Sequence, residues 1–426
     1  MEMNRRNFFA ASAAFAASGM AFSGCASAPK AGESAKAKAP VIQGFDEEMC
    51  AVPPPGARPF VPFSDRKVRV GIAGCGVCSF GAAFEYDKHP NIDVVAATDL
   101  DPVNCSALAR GLKAKRTYQS CEEMIKAEAK AGTMDAVYIA TDAPSHARLS
   151  IMALEHGMHV CVAVPAVFGI EQLEDAERIL DLVRRTKLVY QMNETTAFRP
   201  NCYAMRELYK AGKLGTIVYS EGEYFHPKPP KASPSLGIGS YGGWRKGLPP
   251  QYYPTHSNGY YTCVTGKAFT EVSCMGFRNP GYPYKGGTNR YGNEFADECA
   301  LFRTEDGGMS RMIVSWGTAG HGAEDGRVYG TNGCYRDGKF KTWGGPYAVK
   351  IDDVDTVKYA LPPGMRGMGH GGSHGYLTDD FIRAILLKRS PVVNVEVALA
   401  TTVAGIIAHQ SAMKGGELMK IPQFKL

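Results

Sequence analysis

Lys67-Val-Arg-Val-Gly-Ile-Ala-Gly-Cys-Gly-Val-Cys-Ser-Phe-Gly81 orders the rest of the chain around it. It opens with the small apolar residues of a buried parallel strand and then breaks into glycine. Gly74 and Gly76 permit a tight turn and close backbone approach to a pyrophosphate. The helix expected next turns its unpaired N–H groups and positive dipole end toward that anion. Ser79 stands where the fingerprint has its third glycine, and serine is small enough for close helix–strand packing. The following strand, Asp93-Val-Val-Ala-Ala-Thr-Asp99, ends on a carboxylate about 25 residues past Gly74, near the ribose-binding offset. A carboxylate there accepts hydrogen bonds from ribose hydroxyls and repels a 2′-phosphate, which favours NAD over NADP. Asp101, in the next loop, is placed to share that task.

The chain continues as a doubly wound unit. Met134 to Thr141 reads as a buried strand, followed by Asp142-Ala-Pro-Ser-His146 and a helix through Glu155. His159 to Ala163 is the next strand, then Val164-Pro165 and a new helix, and Leu188 to Met192 closes the sheet. Residues 65–192 are therefore expected to form an NAD-binding Rossmann domain, and 193–426 a second domain, as the 426-residue length suggests. The formal charge of +6 is small for this length, and no basic block points to nucleic acid. The 12 cysteines are scattered. Cys75-Gly-Val-Cys78 has redox spacing but lies inside the glycine turn, so neither redox nor zinc chemistry is expected of it.

Residues 1–25 have the pattern of a targeting segment. Arg5-Arg6-Asn-Phe-Phe resembles a twin-arginine export signal. Phe8 to Phe22 is apolar but shorter than the roughly 20 residues of a spanning helix. Ala21-Phe-Ser-Gly-Cys25 resembles a lipoprotein cleavage box, with Cys25 as the acylated residue that would tether the chain to a membrane face. Residues 26–64, rich in Ala, Lys, Pro and Ser, read as a flexible tether. No later segment reads as apolar and long enough to cross a bilayer. The expectation is an exported, envelope-bound or periplasmic protein.

The glycine turn, Ile139-Ala-Thr-Asp-Ala-Pro-Ser-His146, the strand–Pro165 junction and Gly212-Lys-Leu-Gly215-Thr-Ile together resemble the Gfo/Idh/MocA oxidoreductase family over residues 66 to 420. The resemblance implies an α/β architecture: an N-terminal Rossmann domain with a doubly wound parallel sheet, and a C-terminal α/β domain with a large open mixed sheet. That sheet would bind substrate and make contacts in a homo-oligomer. The resemblance also assigns Pro165 and His146 to the neighbourhood of the cofactor, although His146 can equally cap its helix. Most family dehydrogenases carry Glu-Lys-Pro at the strand end, with the lysine assisting proton transfer. Here the positions are Ala163, Val164 and Pro165, and valine has no titratable group.

Glycoside hydrolase family 109, within the same group, also tends to lack that lysine. Its proposed chemistry is redox-assisted cleavage with internally recycled NAD, which suits an exported enzyme. Tyr252-Tyr-Pro-Thr-His256 resembles the Tyr-Pro-Thr-His segment of those hydrolases, with His256 in the acid/base position. An imidazole titrates near neutrality and exchanges protons in either direction. The hydrolases' active tyrosine would fall near Ala197 or Phe198, neither of which can donate a proton, so the match is partial.

Further candidates surround these residues. Glu194, after the last Rossmann strand, is placed to contact nicotinamide or ribose, or to pair with Arg199. Arg199, Trp244, Arg245, Tyr253 and His374 are candidate substrate-binding residues: Arg for sugar hydroxyls or a carboxylate, aromatics for a ring face. His370 and His374 lie four apart in a glycine loop, where that spacing carries little metal-binding meaning; no metal is expected, and either ring is a candidate to line the active site. His321, Glu324 and Arg327 read as architectural. The sequence as a whole reads as an NAD-dependent enzyme acting on a carbohydrate by hydride transfer, with His256 as proton carrier. A catalytically silent NAD- or sugar-binding lipoprotein is the alternative.

Overall fold

The structure is a computed structural model that describes residues 54–75, 79–227, 243–278, 289–320, 322–367 and 369–426. The export signal, Cys25, most of the tether, Gly76, Cys78 and His321 lie outside the described residues.

The N-terminal half alternates strand and helix: β1 (Val68–Ala73), α1 (Phe80–Ala83), β2 (Ile92–Thr98), α2 (Pro102–Leu112), β3 (Arg116–Tyr118), α3 (Cys121–Ala131), β4 (Ala136–Ile139), α4 (His146–Glu155), β5 (His159–Val162), α5 (Leu173–Thr186) and β6 (Tyr190–Met192). All six strands run parallel in the order β3-β2-β1-β4-β5-β6. This doubly wound order leaves a crevice at the C-terminal strand ends, between β1 and β4. The central strands are buried on both faces, which is why they read as continuous small apolar runs. Local chemistry sets the helix ends. Asp101 caps α2 by accepting from Val103 N and Asn104 N, with Pro102 in the first turn. Asp101 is thus a helix cap, which corrects its expected share in ribose binding.

Two other expectations change here. The helix after the glycine turn is a single turn, Phe80–Ala83, too short for a developed macrodipole. Ser79 adopts a left-handed conformation (φ 50°) before it and makes no side-chain cap. Close packing against β1 falls instead to Gly81: a Cβ there would lie 2.4 Å from Gly74 O and 3.1 Å from Leu108 Cδ1. β3, a three-residue strand paired to β2 with Thr117 exposed between half-buried Arg116 and Tyr118, was not read from the sequence.

The C-terminal half contains α6 (Pro200–Lys210), β7 (Ile217–Phe225), α7 (Thr255–Thr265), β8 (Phe269–Phe277), β9 (Asp297–Thr304), β10 (Met309–Ser315), β11 (Ala323–Gly330), β12 (Gly333–Arg336), β13 (Lys339–Thr342), α8 (Gly369–Gly372), α9 (His374–Leu386), α10 (Val395–Met413) and β14 (Met419–Lys420). Its eight-stranded sheet has the order β13-β12-β11-β7-β10-β9-β8-β14. It is mixed: β7 and β10 pair in parallel and the other neighbours antiparallel. α7 lies against β7 at Gly222, where a Cβ would meet Ser257 O at 2.0 Å. α7 is buried from Thr255 to Val264, so its polar groups bond inside the fold: Asn258 Nδ2 donates to Thr401 O (3.0 Å), and the Thr262 and Thr401 hydroxyls meet at 2.6 Å.

α10 corrects the expectation that no later segment is apolar and long enough to span a membrane. It has 19 residues with a mean hydropathy of 1.2, but 89% of that window is buried inside the fold. It packs on α5, β6, α7 and β8, and just before it Val393 O accepts from Met192 N at the end of β6 (3.1 Å). The architecture is the expected one, a Rossmann half joined to a half built on a large mixed sheet.

Candidate active site

A cleft of about 520 Å³ runs along the C-terminal strand ends of the Rossmann sheet, lined among others by Gly74, Asp99, Thr141, His146, Val164 and Tyr253. That volume lies in the range of small-molecule and cofactor sites. Gly74 has φ +94°, and a Cβ there would lie 2.4 Å from Ala140 O, so the turn depends on glycine. The Asp99 carboxylate accepts from Cys75 N (2.8 Å) and Asp101 N (2.9 Å), which fixes it at the turn. Burial pushes the Cys75 thiol pKa up, the opposite of a reactive thiolate. A glycine cradle with a fixed carboxylate at the end of β2 fits a dinucleotide whose ribose hydroxyls donate to Asp99.

Several residues stand elsewhere than expected. His146 is buried, with Nδ1 2.8 Å from Pro165 O and Nε2 3.2 Å from Thr141 O. Burial lowers its pKa, and the neutral ring's single N–H serves one of these two carbonyls while one edge lines the cleft. Pro165 is buried and follows a cis Val164–Pro165 peptide. Trp244 and Arg245, read as sugar-binding, stand on the wall of the nucleotide cleft. The Arg245 guanidinium lies 4.2 Å over the Trp244 ring, which packs edge-on against Phe168 (5.4 Å).

Glu194 requires the clearest correction. It touches neither the cleft wall nor Arg199. Its fully buried carboxylate Oε1 lies 2.9 Å from His256 Nδ1 and accepts from Thr196 N at 2.8 Å. Arg199 pairs instead with Glu324 and packs beside Gly371. His256 is the second residue of α7 rather than part of a loop, and is 4% exposed. Burial disfavours charge on both partners, but their mutual attraction prevails: the His256 pKa rises above its ordinary value and Glu194 is held down to about 2. The contact therefore favours the imidazolium–carboxylate form of the pair over what a free histidine would show.

His256 stands one aromatic ring behind the cleft. Tyr253 lines the cleft and lies 5.6 Å, ring to ring, from His256; Tyr224 meets the imidazole edge-on at 4.7 Å. On its other side is the His370 ring at 5.9 Å. His374 is 3% exposed and stacked on Phe84 at 4.3 Å, so it supports His370 rather than facing a ligand, contrary to its expected substrate contact. Phe80 joins the two regions: it lines the cleft and packs 6.2 Å from His370. Tyr224 gave no signal in the sequence, being one inward residue of an alternating strand. Among the described residues no group of three His, Cys, Asp or Glu is arranged to hold a metal.

The fold and the cleft define the class: a two-domain oxidoreductase scaffold with a dinucleotide-binding Rossmann half. Residues 68–194 match the family described as GFO_IDH_MocA, an oxidoreductase family with an NAD-binding Rossmann fold. Among curated relatives, a glycosyl hydrolase family 109 protein of Porphyromonas gingivalis is 29% identical over 172 residues, covering 37% of this chain and 34% of the relative. A family 109 protein of Streptomyces filamentosus is 25% identical over 457 aligned positions, covering 99% of this chain and 90% of the relative. The alignments to the P. gingivalis protein and to two further relatives span about a third to two-fifths of their length. Among solved structures, scyllo-inositol dehydrogenase from Lactobacillus casei with bound NAD(H) and scyllo-inositol superposes with a TM-score of 0.61 at 18% identity, covering 83% of this chain and 99% of that one. The WlbA dehydrogenase from Bordetella pertussis in complex with NADH and UDP-GlcNAcA gives 0.61 at 17%, covering 85% and 99%. At such identities these structures establish the shared fold.

Proposed function

We propose that this protein is an exported NAD-dependent enzyme that oxidises a ring carbon of a carbohydrate, with His256 as the proton carrier. The observation that carries the reading is the buried Glu194–His256 pair, one ring from a cleft built for a dinucleotide. When bound, NAD supplies the hydride acceptor. Gly74 and Asp99 would hold it, and Val164, on the cleft wall, contributes shape but no proton. The Glu194 carboxylate favours the charged form of His256 and fixes its ring, which leaves Nε2 as the nitrogen that exchanges a proton with a sugar oxygen. Tyr253, on the cleft wall, offers a face on which a pyranose can stack.

Within that reading, redox-neutral glycoside cleavage is favoured over net oxidation. Val164 replaces the proton-transferring lysine of the family's dehydrogenases, and the curated relatives described above bear glycoside hydrolase names. A panel of nitrophenyl glycosides and free sugars separates the outcomes. Phenol release that disappears after borohydride reduction of bound nucleotide supports cleavage, whereas NADH accumulation from a free sugar supports net oxidation. Purified protein with no bound nucleotide and no turnover on either set would leave a silent binder.

A further inference from the structure

A histidine held against a buried carboxylate at 2.9 Å is better placed to give a proton than to take one, so a reaction at a sugar hydroxyl calls for a second group. The titratable ring beside it is His370, 5.9 Å away and inclined by 20°. A chain of contacts fixes which of its nitrogens carries hydrogen. Ala83 O can only accept, so His374 Nδ1, 3.2 Å away, bears a proton. A neutral imidazole has one N–H, so His374 Nε2 is bare and accepts from His370 Nδ1 at 2.9 Å. That leaves His370 Nε2 as the lone-pair nitrogen. Burial keeps both rings neutral, with His370 lowered to about 4 and His374 to about 3.

The backbone holds this geometry against its own preference. His370 has φ 53° and ψ 51°, a left-handed conformation disfavoured for a non-glycine residue. Three anchors hold the segment. The buried Lys358 Nζ donates to Gly371 O and Gly372 O, both at 3.1 Å. Ser373 Oγ donates to His370 O. The Glu85 carboxylate accepts from Arg366 N and Gly367 N, at 3.0 and 2.9 Å. The charged or titratable groups around His370 are His256, His374, Arg199, Glu194, Glu324 and Lys358.

We propose that His370 is the base of this site, taking the proton of a substrate hydroxyl at Nε2 while His256 serves as the acid. The O–H bond breaks with its electron pair left on oxygen, an N–H bond forms at Nε2, and Nδ1–H stays on His374; the reverse step returns the proton. His374 is a positioning residue that sets the tautomer. The proposal rests on the carbohydrate reading for its substrate, but the proton positions do not.

Two-bond ¹H–¹⁵N spectra of the full chain with labelled histidine test those positions directly. At pH 7, His370 is expected as the neutral Nδ1–H tautomer and His256 as protonated on both nitrogens. In His374→Phe, the His370 signal is expected to become a mixture of tautomers. His370→Asn, chosen because asparagine tolerates left-handed backbone, should keep NAD affinity and lower kcat/KM by roughly 100-fold or more. A proton on His370 Nε2, a charged His370 at pH 7, or His370→Asn activity within about threefold of the parent overturns the assignment. If the parent turns over no sugar while His370 shows the expected tautomer, the carbohydrate reading fails and the proton map stands.

Discussion

Glu194 Oε1 sits 2.9 Å from Nδ1 of His256, and both side chains are cut off from solvent by the fold. A buried carboxylate with one imidazole partner controls both the orientation and the charge of that ring. Glu194→Gln keeps the shape and removes the charge. The raised pKa of His256 should then fall, so the acid form is lost at neutral pH. Activity is expected to drop roughly 100-fold or more at pH 7, and the alkaline limb of the kcat/KM profile should move to lower pH. An alkaline limb that stays in place would detach Glu194 from the proton-donating role.

His370 and His374 set the acid stability. Their native pKa values, about 4 and about 3, lie below the ordinary histidine value, so the unfolded chain binds more protons throughout the window between. Stability attributable to them is fully present above pH 6.5 and declines as pH falls toward those values. The buried His374 alone should cost on the order of 2 kcal/mol between pH 7 and pH 5. Urea midpoints at the two pH values measure the loss, and His374→Phe should shrink it.

The nucleotide turn gives a paired prediction. Gly81→Ala inserts a Cβ 2.4 Å from Gly74 O, which should cost about 1–3 kcal/mol by overpacking and weaken NAD binding through the displaced turn. Asp99→Asn keeps only one of the two backbone bonds to this side chain, which should cost about 1 kcal/mol, and should weaken NAD roughly tenfold by losing a charged acceptor. Calorimetric titration with NAD, beside thermal melts, separates the two. Unaltered affinity in Asp99→Asn would remove that carboxylate from the ribose.

Cys25→Ala tests the proposed membrane tether. Expressed with its leader, the parent protein should partition into a detergent phase and the variant into the aqueous phase. Equal partitioning would exclude acylation at that cysteine.

What could be read from the sequence follows the range of each interaction. β1, β2, β4 and β5 announce themselves because strands buried on both faces are apolar at nearly every position past their first two residues, and Gly74 and Asp99 lie at a spacing that the turn imposes. The α10 helix misleads the same logic, since a helix buried all round in a protein core has the composition of a membrane span. Glu194 and His256 are 62 positions apart and come together only where α7 crosses the end of the Rossmann sheet. His370 stacks beside His256 through a left-handed bend that no periodicity encodes. Gly81 escaped notice because the fingerprint directs attention to Ser79, two positions earlier.

Val393 O bonds to the last Rossmann strand, and the helix that follows it crosses beneath both sheets. The two halves therefore share a common spar, and a hinge motion between them would tear it out of the core. Heating should give one calorimetric endotherm instead of two.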